Sequence, residues 1–408
     1  MSVEKPKRKT KDVLDAFIAY QEKTEPPEIY KRWVGVSLIA SVLQRKCWLT
    51  WGPYEFYPNM YIILVGPPGK ARKGTAMRPA KQHLKNLQIK TAAEATTREA
   101  LIRRIAESVN TFDMSDPETK TIQLRAHCSL TVFSDELTVF IGYNNKELMA
   151  NLADWFDCAE SWTYDTKGKG TDQIQNIWLN LLGATTPELI QATMPLDMIG
   201  GGLSSRMLFI YAKKKGKKEP CPMMTRELLQ LRSDVDHDLE MIYAMNGRFT
   251  VTEGFLEDWI QWYMNKPEEC PLNSRHLDYY WERREVHLLK LSMIMSASRS
   301  QEMIIRRCDL ARAHEWLLDA ERYMPHAFMG MGHRDDAAVV AMIMNEIAER
   351  GVTSIATLTD LHSFDVTQDQ LVEIVRLLQM KGFCRYVVGM DKNWKIIHKD
   401  HTTYERKS

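Results

Sequence analysis

Residues 65–76 read VGPPGKARKGTA and follow the apolar run Tyr61-Ile62-Ile63-Leu64. A strand feeding a glycine-rich turn that opens a helix is the layout of a phosphate-binding loop, where backbone N–H groups and a helix N-terminus face the anion. The usual spelling, G-x-x-x-x-G-K-[ST], is missed, because the second glycine, the lysine and the hydroxyl fall out of register. With one residue inserted, Lys73 becomes the phosphate lysine. Gly74 then takes the hydroxyl position and Thr75 stands one residue late. The expected nucleotide-binding stretch is Gly66, Pro67, Pro68, Gly69, Lys70, Ala71, Arg72, Lys73, Gly74 and Thr75, with Thr75 on a magnesium ion. The competing reading is a strand-ending turn with surface lysines.

Three later stretches supply partners for such a loop. LTVFSDE, 130–136, is a hydrophobic strand ending in adjacent carboxylates. That pattern suits Asp135 as a magnesium ligand and Glu136 as the residue that polarises the attacking water. Its separation from the loop fits a fold in which the two strands sit side by side. Ile177 to Leu182 reads as a third strand, ending GATTPE. Thr185 or Thr186 is placed there to orient the lytic water, though Thr186 before Pro187 equally suits a helix cap. GGGLSSRMLFIYA, 200–212, opens a fourth strand at Arg206. A buried arginine needs an anion, either a γ-phosphate or a structural carboxylate.

The chain has 408 residues, 44% of them apolar, and a formal charge of +1. That length holds two or three domains. Near-neutral charge gives no global support for nucleic-acid binding, so such a surface must be local. Seven cysteines without paired spacing argue against a disulfide framework or zinc ribbon and fit a reducing cytoplasm, the host's if the protein is viral. No apolar run is long enough to span a membrane. The basic N-terminus reads as a loose tail.

Strands alternating with helices predict a three-layer α/β core with a largely parallel sheet, of the P-loop NTPase (AAA+/RecA-like) kind. The expected divisions are 1–50, an N-terminal helical segment; 51–222, the ATPase core; 223–335, a helical domain; and 336–408, a winged helix. Residues 11–50 and 223–350 read as helical. The run KKKGKKEP, 213–220, reads as an exposed connector. In the winged helix, Arg376 and Lys381 are the candidate DNA contacts, and in the core Lys167 and Lys169, with the Asn144-Asn145-Lys146 stretch beside them.

YPNMYIILVGPPGKARKGTA, VFSDE and LLGATTPELIQATMPLDMIGGGLSSRMLFIY together resemble P-loop proteins of phages and mobile elements of the primase-helicase-associated type. The likeness covers about residues 28–212 and matches Arg72-Lys73, which favours Lys73 over Lys70; Gly74 departs from it. Ser205-Arg206 is similar to the arginine-finger motif of the MCM helicases. By that likeness Arg206 acts in trans on a neighbour's ATP, in a homo-oligomeric, hexameric ring.

The resemblance implies an ATP- and magnesium-dependent DNA helicase or translocase in phage or mobile-element replication, with Glu136, Arg206, Thr185 and Thr186 as catalytic residues. The alternative is an ATP-switched helicase loader or scaffold that docks an initiator, primase or helicase partner through the winged helix.

Overall fold

Tyr61–Val65, the loop strand, is buried along its whole length, as a parallel strand covered on both faces should be. It lies in a five-stranded sheet. The order is an edge strand, Val109–Ser115; an acidic strand, Ile122–Ser134; a threonine strand, Ile177–Thr185; the loop strand; and an arginine strand, Met207–Tyr211. The last four run parallel, and only the edge strand pairs antiparallel.

The threonine strand therefore separates the loop strand from the acidic strand. The side-by-side expectation is wrong. Parallel strands are joined by crossovers, so a strand later in the chain can insert between two earlier ones. Asn180 pins this insertion. Its Oδ1 accepts from Met60 N at 2.9 Å, and its Nδ2 donates to Ser37 Oγ at 2.9 Å and Ser41 Oγ at 3.0 Å. Both serines lie on Glu28–Leu43, a helix buried nearly all round, and a fully partnered buried amide fixes one register.

The described residues are 7–115, 122–166, 170–194, 202–272, 274–328, 336–362, 366–388 and 394–399 of a computed structural model. They divide into two compact units, Met1–Phe328 and Met329–Ser408. A second sheet explains why so much of the chain is one unit. Cys47–Trp51 pairs parallel with Gly247–Val251 and antiparallel with Tyr54–Phe56, and Gly247–Val251 pairs with Ile304–Ile305. These strands correct the all-helical readings of 11–50 and 223–350. They are short, and only half-buried in places, so helical periodicity on either side masks them.

The N-terminal residues are not loose where they are described. Asp238, fully buried, accepts from Lys9 N and Thr10 N, each at 2.8 Å, and from Thr10 Oγ1 at 2.7 Å. Arg8 donates to Ser298 O at 2.8 Å.

The smaller unit has helices Asp336–Arg350, Ile355–His362 and Gln368–Met380. Its sheet has the order Val352–Thr353, Trp394–His398, Cys384–Val388. Ile343, Ile347, Leu358, Leu371, Val375, Leu378 and Ile396 form its core. Among the described residues of the chain, no helix is long and apolar enough to cross a membrane.

Candidate phosphate-binding site

The glycine turn leaves the loop strand at the end where Val65 pairs with both Thr185 and Tyr211. Its path is set by close packing. Tyr30 donates to Val65 O at 2.6 Å, and a Cβ on Gly66 would lie 2.7 Å from that hydroxyl and 2.9 Å from Ala71 Cβ, besides overlapping Ala212 O. Two residues then turn left-handed, Gly69 at φ 66° and Arg72 at φ 58°. Arg72 accepts a conformation that costs a non-glycine residue about 1 kcal/mol. Its guanidinium leaves the turn for Glu25, at 2.8 Å, which also holds Lys215 of the basic connector.

The helix Lys73–Asn86 begins directly after it, with Pro79 inside. Proline removes one helical hydrogen bond, and burial of Ala76, Met77, Ala80 and Leu84 holds the helix continuous across it. Lys70 is exposed, whereas Lys73 folds back into the turn. Its Nζ donates to Gly66 O at 2.5 Å and to Pro67 O at 3.4 Å. Burial lowers its proton affinity, and the nearby Glu136 and Glu188 carboxylates offset part of that. Glu136 stands at the N-cap position of the short helix Leu137–Ile141 without a side-chain capping bond, and its Oε1 is enclosed without a hydrogen-bond partner. A lysine spending its charge on loop carbonyls beside an unpartnered carboxylate oxygen leaves both groups available to a ligand.

Asp135 differs. Lys81 Nζ lies 2.8 Å from Asp135 Oδ2 and 2.9 Å from Glu94 Oε1. Burial alone would lower the Lys81 pKa, but its bonds to Asp135 and Glu94 outweigh that and raise it. A Cβ on Gly74 would lie 3.8 Å from Asp135 Oδ1, so residue 74 occupies the place from which a hydroxyl would meet that carboxylate. Thr75 is exposed and, one residue on, points about 100° further around the helix. Among the described residues, no group of three His, Cys, Asp or Glu side chains is placed to hold a metal. The donor set does not fit the expected magnesium seat: Asp135 is already paired with Lys81, and the residue opposite its Oδ1, Gly74, brings no hydroxyl.

Thr185 ends the threonine strand and Thr186 follows it. Gly66 N donates to Thr185 O at 3.3 Å, which ties the strand end to the turn. Thr186 Oγ1 accepts from Leu189 N at 3.4 Å and so caps Pro187–Thr193, the helix that carries Glu188.

Arg206 lies at the far end of the sheet. It precedes Met207, which pairs with Tyr61, while Val65 and Tyr211 mark the turn end. Its Nη2 is 2.5 Å from Asp157 Oδ2, and its Nη1 donates to Gly202 O at 2.6 Å. Arg283 reaches the same carboxylate at 3.6 Å. Arg206 is thus paired with a structural carboxylate and is not part of the turn on its own chain. Lys167 and Lys169 lie outside the described residues. Arg376 and Lys381 are exposed on the smaller unit.

Lys81, Glu188 and Asp157 were missed in the sequence. Lys81 carried a usable signal, since seven residues beyond Gly74 is two helical turns and nearly the same face. Asp157 carried none. Neither a protein-family model nor a curated protein matches this chain.

Proposed function

We propose that this protein is an ATP-hydrolysing motor of the P-loop class, ring-forming and acting as a helicase or translocase on DNA during replication of a phage or mobile element. One observation carries the nucleotide reading: Lys73 opens a helix directly behind a close-packed glycine turn, with the unpartnered Glu136 oxygen in its electrostatic reach. Strand order supports it. The threonine strand ends beside both the loop strand and the acidic strand, with Val65 opposite Thr185 and Ser134 opposite Gly183, so the turn, Thr185 and the Asp135-Glu136 pair follow neighbouring strand ends. In this reading Lys73 and the turn's N–H groups bind the phosphates, and Glu136 takes a proton from water as it attacks. Arg206, on the opposite end of the sheet, serves the next subunit's site.

The test is phosphate release with and without single-stranded and duplex DNA, alongside native mass. Glu136→Gln should bind nucleotide as the wild type does while turnover falls about a hundredfold or more. DNA-independent turnover by a monomer would sink the motor reading.

A specific feature of the smaller unit favours the loader alternative. The exposed face of Gln368–Met380 carries Asp369, Glu373, Leu377 and Met380 around the single arginine Arg376. Acidic and apolar side chains together suit a protein partner better than phosphates.

A further inference from the structure

The carboxylate expected to hold magnesium already has a cation on it. Lys81 bridges Asp135 and Glu94, and Gly74 offers no hydroxyl opposite Asp135. We propose that Lys81 is a tethered cation standing in for a bound metal at this site, so that triphosphate binding by this chain does not depend on magnesium. The inference rests on the nucleotide reading above.

The argument is one of charge. Glu136 and Glu188 act on Lys73, and Asp135 lies beside Gly74; of the turn's other cations, Arg72 is paired with Glu25 and Lys70 is exposed. A polyphosphate approaching unpaired carboxylates is repelled, and the usual remedy is a divalent ion shared by phosphate, hydroxyl and aspartate. Here residue 74 brings no hydroxyl and the aspartate is paired with Lys81. Geometry permits this because helical side chains lean toward the N-terminus. Lys81 therefore projects back along the face that begins at Gly74 and meets Asp135 at Oδ2, while residue 74 lies nearer Oδ1. The Lys81 side chain is 29% and the Asp135 side chain 49% exposed, so salt screens the pair in part and its effect should weaken as ionic strength rises. Lys81 touches neither phosphate nor water in this account. It is a positioning residue, and magnesium belongs with the substrate's phosphates rather than with the protein.

The experiment is equilibrium titration of the full chain with a fluorescent, non-hydrolysable ATP analogue, in excess magnesium and in EDTA. Wild-type affinity should change by less than about threefold between the two conditions. Lys81→Met should bind about tenfold more weakly in EDTA, where Asp135 is left unpaired, and recover when magnesium is supplied. Lys81→Arg keeps the charge and should behave as the wild type. Adding Asp135→Asn to Lys81→Met should abolish the EDTA penalty, which a fold defect would not do. Wild-type binding that disappears in EDTA, with Lys81→Met following the same magnesium curve, overturns the inference and leaves the nucleotide reading intact. Binding in neither condition removes that reading, and the inference with it.

Discussion

Arg206 donates to Asp157 at the end of the central sheet where Met207 pairs with Tyr61, whereas Lys73 rises from the end where Tyr211 pairs with Val65. The intervening strand spans about 13 Å. No rotamer of Arg206 brings it to the turn of its own chain. If it meets a triphosphate, that triphosphate belongs to another copy, and Asp157 must release it.

Arg206→Ala should therefore bind nucleotide normally and lose turnover. Mixed with Glu136→Gln subunits it should regain part of that turnover, because each variant supplies what the other lacks at a shared interface. The stability loss should be about 1–3 kcal/mol: Arg206 is buried and also donates to Gly202 O, whereas Asp157 is half-exposed and keeps Arg283. A variant with a lowered melting temperature and unchanged turnover would leave Arg206 as a structural ion pair.

The two glycines flanking the turn should respond oppositely to a side chain. At Gly66 a Cβ meets a backbone carbonyl and a hydroxyl already bonded to Val65, neither of which can retreat. Gly66→Ala should lower stability by about 1–3 kcal/mol, as overpacking does, and abolish nucleotide binding. At Gly74 the nearest atoms are 3.8 and 3.9 Å away, both on Asp135. Gly74→Ser should fold at least as well, because a side chain at the second residue of the helix restricts the unfolded chain more than glycine does and meets nothing closer than 3.8 Å. It should also lower the magnesium concentration needed for half-maximal turnover. Thermal melts and a magnesium titration separate the two cases.

The elements around the turn were legible because each has a local cause. Five consecutive buried apolar residues make a parallel strand, and glycine with proline ends it. The adjacent carboxylates of Asp135 and Glu136 mark a strand terminus. What was not legible depends on sheet order, which no local pattern encodes. The threonine strand inserts through Asn180, a residue that reads as unremarkable polar content until its four partners are seen. Cys47–Trp51 was absorbed into helical periodicity because its partner lies far along the chain at Gly247–Val251. Lys81 stood outside every recognised motif although its helix was expected. The motif directs attention to the turn, and the helix reaches Asp135 two turns later.

The face that carries Arg206 should make folding stability sensitive to acid. His287 is fully buried and its Nε2 meets Ser205 O at 3.1 Å, while its Nδ1 has no partner. Burial pushes its pKa down to about 3, against the bond to Ser205, with Lys290, Arg283 and Arg206 adding repulsion. An unfolded histidine takes its proton near pH 6.5. Between those values the unfolded chain holds the extra proton, so the histidine's contribution is fully present above pH 6.5 and is lost as pH falls toward 3. From pH 6.5 to 4.5 the loss is on the order of 2 kcal/mol for this one residue. His127, also held near 3 by burial, adds a second contribution of the same sign. His287→Gln keeps a donor for Ser205 and does not titrate. Its melting temperature should fall less steeply than the wild type's between pH 7 and pH 4.5, and parallel curves would show that His287 is not the group responsible.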